Sequence, residues 1–150
     1  MKYFIGNWKM FGVPKSINIL HKINYYYSKD KNRGKYRVII TPPYTLIESY
    51  AKYFKKKKII IGSQNCYQKD QFSSNTAAIS PYMIKKVGAK YTLVGHSDNR
   101  SEGDTNEMLK NKVHFALKNN LKVVFCIGEN KKEKKNKKTF SVLKKQLSKV

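Results

Sequence analysis

The sequence predicts an α/β protein of about five successive βα units around a parallel sheet, and three observations carry that reading. Short apolar runs alternate with longer segments of helical period. Each run is rich in Ile, Val, Tyr or Phe with little polar alternation, as a strand buried on both faces requires. The runs recur at a steady spacing of a few tens of residues, enough for a crossover helix between parallel neighbours.

In order, Tyr3 to Asn7 reads as the first strand. Ser16 opens a helix carrying Ile17, Ile19, Leu20, Ile23 and Tyr25 to Tyr27, and Asn32-Arg33-Gly34 breaks it before the second strand, Arg37 to Thr41. The three tyrosines read as core and rim of an outer helix rather than as a platform for stacking bases. After Pro42-Pro43, Leu46, Ile47 and Tyr50 mark a helix from about Thr45 to Tyr53, and Lys58 to Gly62 is the third strand. Pro81 suits the first turn of a short helix containing Met83 and Ile84, which Gly88 closes. Tyr91 to Gly95 is the fourth strand. Asp104-Thr105-Asn106-Glu107 resembles a capping box, ahead of a helix whose Leu109, Val113, Ala116 and Leu117 form one apolar stripe. Lys122 to Ile127 is the fifth strand, and a helix from about Lys134 to Lys149 sets Phe140, Leu143 and Leu147 on one face.

With 150 residues, 40% of them hydrophobic, the chain is read as one domain, 1–150, with a sizeable core. No apolar run approaches the roughly 20 residues that span a bilayer, and the first residues enter a strand without a signal-peptide pattern, so a cytoplasmic location is expected. Cys66 and Cys126 lie in or beside expected buried strands without C-x-x-C spacing. Both are read as reduced core residues, and no metal site is expected.

The net charge of +23 raises the question of a polyanionic partner. The cations are almost all Lys, with Arg only at 33, 37 and 100, and Asn, Tyr and Ile are abundant too. Those residue types share A/T-rich codons, so base composition accounts for the charge more simply than selection for phosphate, which favours Arg. The runs Lys55 to Lys58 and Lys131 to Lys138 are read as solvated helix ends and loops, with no specific nucleic-acid or membrane partner.

The polar residues after the strands are not scattered. Asn7 and Lys9 follow the first strand, Gln64 and Asn65 the third, His96 the fourth and Glu129 the fifth. All fall at carboxyl ends, where parallel sheets bind ligands. Alone, Gly95-His96-Ser97-Asp98 suits a structural histidine equally well; with Lys9 on the same rim it suggests a shared pocket.

Six segments now carry a family resemblance: Gly6 to Met10, Gly62-Ser63-Gln64-Asn65-Cys66, Ile79-Ser80-Pro81, Gly88-Ala89-Lys90-Tyr91, Gly95-His96-Ser97 and Phe125-Cys126-Ile127-Gly128-Glu129. Together, and in order, they resemble triosephosphate isomerase over essentially the whole chain. The resemblance implies a partial (β/α)8 barrel, because a complete one takes about 250 residues. It also implies an isomerase that interconverts dihydroxyacetone phosphate and glyceraldehyde 3-phosphate through an enediolate, in glycolysis and gluconeogenesis. His96 would be the electrophile, a neutral imidazole bonding the carbonyl oxygens. Lys9 would supply positive charge, and Asn7 would orient a substrate oxygen. Gln64, Asn65, Asp98 and Glu129 would support them, and Thr76 would lie on the loop that docks a homodimer. The implied ligand is a phosphorylated triose, without cofactor or metal.

The chain departs from the family pattern at several points. Asp98 stands where the family has Glu, and Thr76-Ala77-Ala78 replaces Thr-Gly-Glu. The linker from Arg100 to Asp104 is about one residue shorter, with Asp104 in place of Glu. The family's base, a Glu after the sixth strand, and its phosphate loops have no counterpart in residues 1–150, so this polypeptide alone is expected to lack turnover. Five strands leave two sheet edges open, which predicts a partly molten or self-associating chain. The alternative function is a non-catalytic basic half-barrel that binds nucleic acid or another polyanion.

Overall fold

The computed structural model describes all residues from 1 to 150. Five strands, β1 (Lys2–Asn7), β2 (Tyr36–Thr41), β3 (Ile60–Ser63), β4 (Tyr91–Val94) and β5 (Lys122–Phe125), form one sheet in that spatial order, every neighbour parallel. Seven helices intervene or follow: α1 (Ile17–Lys29), α2 (Tyr44–Phe54), α3 (Pro81–Lys86), α4 (Ser97–Ser101), α5 (Asn106–Lys118), α6 (Lys131–Lys135) and α7 (Thr139–Leu147). Strands that are parallel and consecutive bring all their carboxyl ends to one rim, and this positions the site.

The core lies between one face of the sheet and the helices. Ile40, Ile61 and Val94 from the strands meet Leu20 of α1, Leu46, Ile47, Tyr50 and Phe54 of α2, Ile84 of α3, and Leu109 and Ala116 of α5. α2 presents its four buried residues at helical spacing, which is why the 44–54 segment is a helix although Pro43 caps it without a side-chain bond. Tyr27 is buried as expected, its hydroxyl donating to the Tyr36 and Arg33 carbonyls at 2.9 and 3.3 Å, whereas Tyr25 and Tyr26 are exposed. The expectation of burial on both faces fails for β1, whose Tyr3, Phe4 and Ile5 are exposed because the strand is the edge of the sheet and pairs only with β2. No helix is long and apolar enough to cross a membrane.

Three further expectations need correction. The 104–107 segment is not a capping box. Thr105 is the N-cap of α5 and accepts from the Met108 amide at 3.2 Å, while Asp104 turns inward to an ion pair. The buried stripe of α5 is Leu109, Lys112 and Ala116, and Leu117, one step further round the helix, is exposed. A lysine had no place in an apolar stripe until its partner was known.

The single final helix is two. A reciprocal cap between Asn130 and Glu133 starts α6, Lys137 adopts φ 56°, and α7 begins at Thr139. Phe140 and Leu147 are consequently exposed. α7 is tied instead through Gln146, whose side-chain amide exchanges two 2.9 Å bonds with the Gly128 backbone.

Candidate functional site

The carboxyl ends of β1, β3 and β4 enclose a cleft of about 490 Å³ lined by Asn7, Lys9, Gln64, Asn65, His96 and Asp98, among others. Lys9 is placed by its backbone rather than by its side chain. It sits at φ 51°, its amide donates to Asn7 Oδ1 at 2.9 Å, and its carbonyl accepts from Gln64 Nε2 at 2.8 Å. The same Gln64 nitrogen donates to the Thr41 carbonyl at 2.9 Å, so one amide ties the turn after β1 to the end of β2. Left-handed backbone at a non-glycine residue costs about 1–2 kcal/mol, and these bonds offset it.

His96 is the N-cap of α4, and its Nδ1 accepts from the Asp98 amide at 3.2 Å. An amide can only donate, so Nδ1 carries the lone pair and the ring proton sits on Nε2, available to a ligand oxygen. Asp98 Oδ2 lies 3.3 Å from Lys9 Nζ and 3.5 Å from His96 Nδ1. The lysine is its ion partner, since the histidine contact is the longer and Nδ1 is already filled by the amide. Lys9 Nζ and His96 Nδ1 thus both lie within 3.5 Å of Asp98 Oδ2, although only the lysine bonds it, and the two side chains are within reach of a single small molecule. Asp98 spans that gap with the shorter arm it has in place of Glu.

Asn65 lines the cleft, but its side-chain oxygen is taken up by a buried cluster. Its Oδ1 accepts from the Cys66 amide at 2.9 Å and from Lys112 Nζ at 3.1 Å, and Lys112 Nζ bonds both oxygens of Asp104 at 2.7 Å. The two charged side chains are 4% and 8% exposed, so the pair is a desolvated one. Burial pushes the neighbouring Cys66 thiol up to about 12, which keeps it protonated and unreactive.

Glu129 does not line the cleft; its Oε1 accepts from the Thr139 hydroxyl at 3.3 Å and anchors the start of α7. Two residues that the sequence reading passed over hold the rim together. Lys112 is one. Arg100 is the other, donating to the Gly95 carbonyl at 2.8 Å and the Cys126 carbonyl at 3.1 Å, which clamps the end of β4 to β5. Gly95 is required there: its φ is +77° and a Cβ would meet the Arg100 guanidinium at 2.8 Å. Neither carried a sequence signal, because a spacing of eight from Asp104 is not one at which helix residues pair and the partners of Arg100 are backbone carbonyls.

The triosephosphate isomerase family profile matches residues 2–150. The chain belongs to the triosephosphate isomerase family. It is 34% identical over 145 residues to triosephosphate isomerase of Leptospira interrogans, covering 95% of this chain and 56% of that protein. Against the enzyme of Wolbachia pipientis wMel it is 34% identical over 143 residues, covering 95% and 55%. The crystal structure of triosephosphate isomerase from Bartonella henselae superposes with a TM-score of 0.91 at 30% identity, covering 99% of this chain and 60% of that one. The chain therefore spans a little over half the length of the triosephosphate isomerases it matches, and its five parallel strands are a partial (β/α)8 barrel.

Thr76, which the family resemblance would put on a dimer-docking loop, is exposed. Its neighbour Ala77 adopts left-handed backbone, φ 64°, although it is not a glycine. Ala77→Gly is expected to relieve that strain, offset in part by a freer unfolded chain, for a net gain of about 0.5–1 kcal/mol in urea unfolding. A loss of stability would show that Ala77 is unstrained.

Proposed function

We propose that these residues form the lysine and histidine side of a triosephosphate isomerase site, acting on dihydroxyacetone phosphate and glyceraldehyde 3-phosphate. The observation that carries the reading is the convergence of Lys9 and His96 at Asp98, Lys9 Nζ paired with its carboxylate and His96 Nδ1 accepting from its amide, with the histidine proton left on Nε2. When a proton leaves carbon, negative charge grows on the substrate's carbonyl oxygen. A neutral Nε2–H donor meets that charge, and the Lys9 ammonium stabilises both the enediolate and the phosphorylated substrate. Asn7 is half-buried beside them; its Oδ1 holds the Lys9 amide, which leaves its NH2 to orient a substrate oxygen. Gln64, Asn65 and Asp98 act through Lys9 and His96 as positioning residues, and Glu129 acts through the α7 anchor.

The proposal includes a homodimer formed through the Thr76 loop and a cytoplasmic setting in glycolysis and gluconeogenesis, both drawn from the family. Large apolar side chains left exposed at Met10, Phe11 and Phe72 support an interface.

The test is an NMR titration of the 150-residue chain with 2-phosphoglycolate, a small anion resembling the enediolate in charge. Resonances of His96 and Lys9 should move together, and Lys9→Met should weaken binding about tenfold or more, the worth of one charge-assisted hydrogen bond. Shifts that bypass His96, or an affinity indifferent to Lys9→Met, would refute the assignment.

A further inference from the structure

At the opposite ends of the strands a second cleft, of about 570 Å³, opens beneath the starts of β2 and β3. Its charged lining is uniformly basic: Lys31 and Arg33 from the loop after α1, Arg37 from the second position of β2, and Lys58 ahead of β3. None of the four has a carboxylate within ion-pairing distance. Asp30, the one acid on that loop, is taken up elsewhere. Its oxygens accept from the Tyr36 hydroxyl at 2.6 Å and the Asn32 amide at 2.7 Å.

Two further features make this more than a crowd of surface lysines. The chain has only three arginines, in a composition dominated by lysine, and two of them meet here. Each guanidinium is pinned by its own neighbourhood, Arg33 on the Asp30 carbonyl at 3.3 Å and Arg37 on the Tyr36 carbonyl at 3.2 Å. Behind them the buried Tyr27 hydroxyl fastens the Arg33 and Tyr36 carbonyls, so the loop that presents the cations is braced. Gly34 leaves open space where a side chain would intrude.

We propose that this cleft binds a small ligand carrying two or more linked phosphates, in the manner of inorganic pyrophosphate or the phosphate tail of a nucleotide. Four cations from two stretches of the chain, 31–37 and Lys58 ahead of β3, line one cleft of about 570 Å³, more positive charge and room than one phosphate needs, which suits linked phosphates. Arg is the residue that matches paired phosphate oxygens. A single-stranded nucleic acid fits less well. The cleft's one aromatic ring, Tyr27, is 5% exposed with its hydroxyl committed, and so offers no face on which a base can stack. The site is independent of the Lys9–His96 cleft and stands whether or not that cleft binds a triose.

Isothermal titration at near-physiological salt tests it, with pyrophosphate as ligand, orthophosphate as the single-phosphate control and a short single-stranded DNA as competitor. One pyrophosphate should bind per chain, about tenfold or more tighter than orthophosphate. The pair R33Q/R37Q should weaken it about tenfold or more, with R33K/R37K intermediate because the charge remains and the fork is lost. K134Q/K135Q, which removes equal charge on α6, should change affinity less than about twofold, because exposed charges beyond about a Debye length are screened. Equal loss from the arginine and the α6 pairs would overturn the proposal in favour of general attraction to a +23 chain. DNA binding more tightly than pyrophosphate, with the same arginine dependence, would overturn the small-ligand assignment. Circular dichroism of each variant confirms that it is folded.

Discussion

Asp104→Ala is expected to destabilise the chain by about 3–5 kcal/mol, the usual cost of removing one partner from a buried ion pair. The substitution leaves the Lys112 ammonium, 4% exposed, with Asn65 Oδ1 at 3.1 Å as its remaining partner. A lone carbonyl dipole does not compensate a desolvated charge, so the lysine must drag water in or reorganise. Removing both charges is a different matter: in D104A/K112M the charge that demanded solvation is gone and a methionine stem fills the space. The double variant should recover most of the loss, giving a large coupling in a double-mutant cycle read by urea denaturation. The damage reaches the site as well. Asn65 is the neighbour of Gln64, which holds the Lys9 carbonyl, so Asp104→Ala should also broaden the Lys9 and His96 resonances. An Asp104→Ala cost below about 1 kcal/mol would mean that the pair is solvated in solution.

The strand order and the residues of the rim were legible in the sequence because they rest on patterns with one solution. Apolar runs such as Val38 to Thr41 and Tyr91 to Val94 have no polar alternation and so had to be buried parallel strands, and consecutive parallel strands put Asn7, Gln64 and His96 on the same side. What stayed hidden depends on long-range partners. Lys112 lay outside the stripe of Leu109, Val113, Ala116 and Leu117, and only Asp104 and Asn65 in space explain its burial. Gln64 was readable as a rim residue, but its task of bridging the Lys9 and Thr41 carbonyls requires the turn after β1 to come back over β2. The split between α6 and α7 was obscured by a run of lysines that suits one long helix as well as two short ones. The break depends on the Asn130–Glu133 cap and on Lys137 in left-handed backbone.

The purified 150-residue chain is expected to show no isomerase turnover attributable to His96. On the proposed reading the cleft supplies donors to an enediolate, and such a donor in a closed site is worth about 3 kcal/mol, but stabilising the intermediate does not remove the proton that creates it. A positioned base contributes about 10²–10⁴-fold, and it must lie within hydrogen-bond reach of the carbon acid. Two carboxylates line the cleft. Asp98 is occupied by the Lys9 ammonium at 3.3 Å, which favours its unprotonated form but holds it against the lysine rather than free to approach a carbon acid. Glu102 lies past the end of α4, exposed and without an ion partner. A side chain in open water keeps its solvation and has no fixed approach to substrate. Any background conversion should therefore be equal in the chain and in its His96→Ala variant, followed by a coupled assay for the aldehyde product. Turnover that falls with His96→Ala would contradict the expectation, and if Glu102→Gln removed it as well, Glu102 would be the base. A donor matters to rate only when a base is present to generate the charge it stabilises, so sensitivity to His96 reports on the base as much as on the histidine.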